Sequence, residues 1–439
     1  MKSKRLGSEI IRLALPATIE NIFQTLVGFF DTLLIAQLGL VAVTAVGLAN
    51  TILNVYLAVF LAIGVGGTAL IARSLGAGQK EKARQYARQT QELSIAGGIV
   101  FGFISIFFGR WMLQAMGASG SALEDAQVFF YWVGGFSLLH ASMTSLGTIL
   151  RATGDTVTPM KVGIITNVTN VLLDYFLIFG FGSWDGLGIL GTALGTIFAR
   201  LLGCYLLTRE VQKSELALSF QKSRHRKDYQ ELVHVTIPAA LERLVMRLGQ
   251  VIYFSLIVAL GTNVYESHMI AGNIESFTYM PAYGLATAAA VLIGQSLGKG
   301  DISTVRKVAF LSSAYGVVIM SLLGIVLYFG APYFAQLFTK DLEAIHQVVI
   351  ALKIDAFNQP GLAVSLIMAG ALQGLGDTKS PLYSTAIGMW GLRVVGVIVL
   401  GQILGWGIAG VWLSILIDLF LRAIFLTWRF MVKTRKLAE

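Results

Sequence analysis

Twelve apolar runs, each long enough to cross a bilayer as a helix, follow one another along this 439-residue chain. That succession limits the fold more than any other feature. A hydrocarbon core about 30 Å thick is spanned by about 20 helical residues, and a backbone with no water to bond must satisfy its own N–H and C=O groups. The runs fall near 12–38, 44–72, 91–117, 126–150, 159–181, 186–208, 233–260, 267–294, 308–338, 344–371, 381–402 and 406–430. Turn words separate them, such as Gly76-Ala77-Gly78, Gly154-Asp155-Thr156, Ser183-Trp184-Asp185 and Gly261-Thr262-Asn263. Composition points the same way. Only 13% of residues are charged and 55% are hydrophobic, where soluble domains carry about 25% charged residues. A bilayer has to serve as solvent. The basic N-terminus leads into an apolar run, but Pro16, Glu20, Asn21 and Gln24 interrupt it and no small-residue cleavage pattern follows. It reads as a retained first helix, not a cleaved signal peptide.

The net charge of +9 does not mark a nucleic-acid binder, because the basic residues sit between apolar runs rather than along one patch. Such spacing suits anionic lipid headgroups and sets topology. Most of the 33 Lys and Arg fall in 1–12, 73–88, 151–161, 209–227, 299–307, at 379 and in 429–436. These are the termini and the even-numbered connections. Arg110 and Lys340 stand near the opposite face. The positive-inside rule therefore predicts cytoplasmic termini and a cytoplasmic basic connection, in a plasma (inner) membrane. Cys204 is the only cysteine, so no internal disulfide forms.

A shift of 222 positions brings the chain onto itself. Pro16, Ala17 and Glu20 fall on Pro238, Ala239 and Glu242, and Leu38-Gly39 on Leu260-Gly261. Ser74-Leu75-Gly76 and Gly78 fall on Ser296-Leu297-Gly298 and Gly300. Gly154-Asp155-Thr156 and Pro159 fall on Gly376-Asp377-Thr378 and Pro381. With three residues lost, Gly186, Gly188, Ile189 and Gly191 fall on Gly405, Gly407, Ile408 and Gly410. Six helices per repeat is an even number, so both halves enter from the same side and the repeat is parallel. The expected organisation is a six-helix bundle over 1–208, a basic cytoplasmic linker over 209–232 and a second six-helix bundle over 233–439. Folds of this kind bind substrate between the halves and expose it to each side in turn.

The loop words carry a resemblance. Ala72-Arg73-Ser74-Leu75-Gly76-Ala77-Gly78 follows the second run, and Leu150-Arg151-Ala152-Thr153-Gly154-Asp155-Thr156 precedes the fifth. With twelve helices in two halves, the chain resembles the multidrug and toxic compound extrusion (MATE) transporters, and within them the DinF-like branch. The resemblance covers nearly the whole chain. It implies a V-shaped pair of six-helix bundles that exports bulky, often cationic, amphipathic compounds against an inward flow of protons or sodium. The expected partners are those small molecules, protons and membrane lipid, with no cofactor, no metal and no nucleic acid, for a protein acting as a monomer.

A charged side chain in a span costs at least about 2.5–3.5 kcal/mol, so each one calls for an explanation. In the first run Glu20, Gln24, Gly28 and Asp31 share one helical face, and in the fifth so do Gly163, Asn167, Asn170 and Asp174. Counted from Gly39, Gly180 and Gly186, Asp31, Asp174 and Thr192 lie roughly 9–12 Å below the external helix ends. Two acids, an amide and a hydroxyl therefore converge at one level, and Asn50 and Asn54 can line the same cavity. The resemblance adds a role: DinF-like proteins carry an acid in the first helix, Asn-x-x-x-Asp in the fifth and Thr in the sixth as coupling site. Asp31, Asn170, Asp174 and Thr192 stand at those places. A carboxylate in a dry pocket holds and releases a proton, which is what coupling needs. The competing reading is that these groups tie helices together by hydrogen bonds.

The second half lacks this pair. Asp31 becomes Tyr253 and Asp174 becomes Gly396, while Glu242, Glu275, Asp355, Arg393 and Asp418 lie in or near its spans. The NorM-like branch uses acids in this half for sodium, and neither Glu242 nor Glu275 maps onto that pattern. Glu242, near a helix end like Glu20, also suits a snorkelling side chain. His140, His268 and His346 are isolated and read as packed or solvated. Gln24, Asn167, Met143, Met246, Met269, Tyr253 and Phe277 are further candidates for a deformable substrate cavity. A lipid-linked oligosaccharide flippase, as in MurJ-like relatives, is the alternative transporter. It would need a strongly cationic cavity, and Arg200, Arg243, Arg247, Lys353, Arg393 and Arg422 are few and mostly near helix ends. A prenyl-transferring membrane enzyme would need a D-D-x-x-D run, which is missing. A channel would need a ring of like filter loops.

Overall fold

The computed structural model describes residues 2–218 and 229–439. Residues 219–228, within the expected linker of 209–232, lie outside the described residues. Apart from one bridge between Phe181 and Trp184, the described chain is helix and turn. In order come α1 (Lys2–Ala36), α2 (Leu40–Gly76), α3 (Lys80–Ala115), α4 (Gly120–Gly135), α5 (Ser137–Ala152), α6 (Val157–Phe179) and α7 (Ile189–Lys213). Then follow α8 (Gln230–Ala259), α9 (Thr262–Thr278), α10 (Met280–Gly298), α11 (Ile302–Phe338), α12 (Leu342–Gly374), α13 (Lys379–Ala386) and α14 (Gly407–Lys436). Beyond α13 the helix continues in the wider π form over Ile387–Val394 and Val397–Ile403.

Every expected run is helical, but two are broken. The fourth is α4 and α5, bent by 46° after Gly134-Gly135. The eighth is α9 and α10, interrupted at Tyr279, where Pro281 removes a helical N–H donor. Among the described residues nine helices are long and apolar enough to cross a membrane, ten if the bent pair is one span. The two expected spans that fall short are α8, with Glu231, Glu242, Arg243 and Arg247, and α12, with Glu343, Lys353 and Asp355. Their charges lower the hydropathy.

The helices gather into two compact units, residues 19–236, and residues 237–439 together with 1–18. The start of α1 joins the latter because Ile10, Leu13 and Ala14 bury among Leu285, Ala288 and Val291. In the unit of residues 19–236, the Tyr56 ring stacks on Phe101 at 4.3 Å and its hydroxyl meets Ser105 Oγ at 3.1 Å. Gly98 and Gly102 let α3 close on the α4–α5 bend, since a Cβ at either would press on the backbone of Leu138 or Gly135. In the other unit Trp412 is buried with Ile257, Leu352 and Val411.

The repeat seen in the sequence is a repeat of contacts. Gly78 and Gly300 both turn the chain at φ 73°, a left-handed value that suits glycine. Asp155 Oδ1 accepts from the Thr158 amide at 3.0 Å, and 222 positions later Asp377 Oδ1 accepts from the Ser380 amide at 3.0 Å. Glu20 pairs with Arg151 at 3.2 Å and lies against Gly163. At the matching places Glu242 bonds with Gln373 and accepts from Thr385 Oγ1 at 3.1 Å. Both glutamates are therefore tied across helices within their own unit, rather than reaching out to a membrane surface.

Candidate functional site

Close backbone packing between α6 and α7 builds the site. A Cβ at Gly191 would strike the Leu177 carbonyl, so α7 lies tight on α6 at this level. One turn further, Gly195 faces Asp174 and leaves room for its carboxyl. Asp174 is 1% exposed. Its Oδ1 accepts from Asn170 Nδ2 at 3.1 Å, and its Oδ2 is buried with no partner. The Asp31 carboxyl on α1 is near enough for its charge to act on Asp174, and Asp31 Oδ1 is also buried and unpartnered. Thr192, between Gly191 and Gly195 on α7, is buried with its Oγ1 unpartnered.

Asp31, Asn170 and Asp174 are thus brought together, with Thr192 on the adjoining turn of α7. Their depth differs from the sequence expectation. Asp31 and Asp174 each precede a helix end, Ala36 and Phe179, by five residues, or ~7.5 Å, and Thr192 follows Ile189 by three, or ~4.5 Å. Gly39, Gly180 and Gly186 lie outside the helices, so these side chains stand nearer the helix ends than roughly 9–12 Å.

The wider candidates scatter. Gln24, Asn50 and Asn54 are exposed, and Asn167 is half-buried one turn from Asn170. Met269 and Phe277 are exposed, and Met246 packs against the core of its unit. Met143 and Tyr253 lie deeper in their units. Met143 packs beside Gly203, and Tyr253 is 3% exposed with its ring 5.5 Å from that of His268.

Sequence reasoning missed three features. Gly195 reads as an ordinary small residue until Asp174 is placed beside it. Arg151 as the partner of Glu20 is hidden by their separation in the chain. The acids of the second half also form a network of their own. Asp418 accepts from Arg393 Nε at 2.5 Å and Arg422 Nε at 2.6 Å. Asp355 bonds with Glu275 and accepts from Gln359 Nε2 at 2.8 Å. Their presence in spans was the available signal; their pairing was not readable.

Comparison with known proteins settles the family. The MatE family model matches twice, over residues 16–176 and 238–399, which is one match per repeat. The chain belongs to the MatE family. It is therefore a multi-pass membrane transporter and not an enzyme. A probable multidrug resistance protein NorM of Thermotoga maritima is 30% identical to this MatE protein over 427 residues, covering 95% of this chain and 90% of that one. An FAD transporter of Shewanella oneidensis is 26% identical, covering 87% and 85%. The fold matches that of a MOP superfamily transporter from Pyrococcus furiosus with a TM-score of 0.92 at 22% identity, over 99% of this chain and 97% of that one.

Proposed function

We propose that this MatE protein is a secondary active multidrug antiporter. It exports amphipathic, often cationic compounds in exchange for inward protons, in the DinF-like manner, from a plasma membrane with both termini cytoplasmic. Asp31 and Asp174 carry the proton, and Asn170 and Thr192 position it. The observation that supports this is the set of buried, unpartnered oxygens on Asp31, Asp174 and Thr192. Three unpartnered oxygens on neighbouring helices, two of them carboxylate, support a reading of this cluster as a place of exchange. Two carboxylates in reach of each other repel, and a bound proton relieves that repulsion.

Sodium is the second reading, because the same oxygens can cage a cation. The proton is favoured at this cluster because its repeat positions, Tyr253 and Gly396, carry no acid, and the second-half pair Glu275 and Asp355 stands at other places. The Thermotoga relative's name supports multidrug export, and the Shewanella relative's name extends the substrate range to an anionic dinucleotide. Proteoliposomes loaded with a cationic dye decide the driving ion. Efflux under a proton gradient alone is expected; efflux under sodium alone, indifferent to pH, would replace the proton by sodium. For the orientation, cysteines placed at Ser223 and Gly120 in a Cys204→Ala background should label from opposite sides.

A further inference from the structure

Arg200 stands near the middle of α7, eleven residues from Ile189 and thirteen from Lys213, or ~16 Å and ~20 Å along the axis. A guanidinium at that depth is too far from either end to reach a headgroup layer by snorkelling. In this unit Arg151 is answered by Glu20 and Arg88 by Glu92. No carboxylate among the described residues pairs with Arg200. Its charge acts on His140 of α5 and Cys204 of its own helix, neither of which supplies an anion. The Cys204 thiol donates to the Leu139 carbonyl at 3.1 Å, and Gly203 abuts Met143, so this face of α7 is turned to α5, inside the bundle. His140 in turn meets the Phe60 ring at 6.2 Å. A half-buried cation is thus held inside the bundle with a histidine and an aromatic for company.

An arginine placed so deep is expensive unless something anionic answers it. The face of the helix shows that the acids at Asp31 and Asp174 do not answer it. Gly195, which faces Asp174, is five residues nearer the start of α7, so Arg200 lies ~7.5 Å deeper than the acids and ~140° round the helix from them, on the face turned to α5. We propose that Arg200 is the binding position for an anionic group, a carboxylate or phosphate, on the transported amphiphile. Arginine suits this role because its fork bonds planar oxyanions at two points. The inference rests on the efflux reading above and names one substrate class within it.

A matched dye pair tests it: a zwitterionic rhodamine with a free carboxylate, and its cationic methyl ester. Binding to the purified full-length protein is measured in nanodiscs of zwitterionic lipid, and again with anionic lipid added. Arg200→Gln should weaken the acid about tenfold or more, as loss of a charged hydrogen bond implies, and leave the ester unchanged. Arg200→Lys should keep most of the preference. Equal loss for both dyes makes Arg200 structural and overturns the proposal. So does a wild-type protein that does not discriminate acid from ester, or an effect of Arg200→Gln seen only with anionic lipid. If the ester is bound but never exported under a proton gradient, the coupling reading fails while the Arg200 result stands by itself.

Discussion

Gly195 on α7 lies directly over the carboxyl of Asp174 on α6, so that a single added carbon at 195 would overlap Asp174 Oδ1. At the corresponding contact in the second half the small residue has changed sides: Gly396 lies against Ser414 of α14. One half keeps an acid and makes room for it with a glycine. The other has removed the acid.

The first prediction follows. Gly195→Ala must displace the Asp174 carboxyl or part the two helices, and such overpacking costs typically about 1–3 kcal/mol. Thermal stability in detergent and gradient-driven dye efflux should both fall. Gly47→Ala is the control, because nothing lies within 4 Å of a Cβ there. If Gly195→Ala transports as well as that control, the carboxyl does not need the space.

The second prediction separates the two acids. Asp31→Asn should abolish efflux against a gradient while eluting as a folded protein, because an amide mimics only the protonated state. Asp174→Asn should change the shape of the pH–rate profile, since coupled acids titrate as a pair. An Asp31→Asn protein that still concentrates dye would make Asp31 a structural acid.

How much of this was readable without coordinates depends on the range of the interaction. The twelve helical runs, the parallel repeat and the convergence of Asp31, Asn170 and Asp174 follow from helix periodicity and loop words, which are local. Asn170 reaches Asp174 because four residues make one turn. Arg151 under Glu20, and Glu275 against Asp355, depend on which helices pack together, and no local pattern encodes that. The break at Tyr279 was signalled by Pro281 yet masked by the long apolar run around it.

The third prediction concerns the Glu20–Arg151 pair. Both side chains are about one-fifth exposed, at 23% and 20%, so solvent screens part of their attraction. A double-mutant cycle with Glu20→Gln and Arg151→Gln should give a coupling of about 1 kcal/mol, at the upper end for exposed pairs. Thermal unfolding of the four proteins measures it. Additive losses would mean the two charges do not depend on each other.

The last prediction uses a group outside the spans. Asp377 sits on the turn between α12 and α13, accepting from the Ser380 amide at 3.0 Å and hydroxyl at 2.6 Å, with Lys433 Nζ at 3.3 Å. Burial pushes its carboxyl up, but the Ser380 bonds and the Lys433 charge outweigh that and hold it below the ordinary aspartate range. The folded state therefore favours the ionised form more than the unfolded chain does. Its stabilisation is fully present above the unfolded value and drains away as pH falls through the folded one. Asp377→Asn keeps a polar side chain on the turn but loses the charge facing Lys433, so it should be less stable than wild type near neutral pH by up to about 1 kcal/mol, the worth of a partly exposed ion pair. That gap should narrow as pH falls below the ordinary carboxylate range, as wild-type Asp377 takes up its proton. Melting curves of both proteins across this range read the gap directly, and a gap that stays constant down to acid pH would show that the charge of Asp377 contributes nothing to the turn.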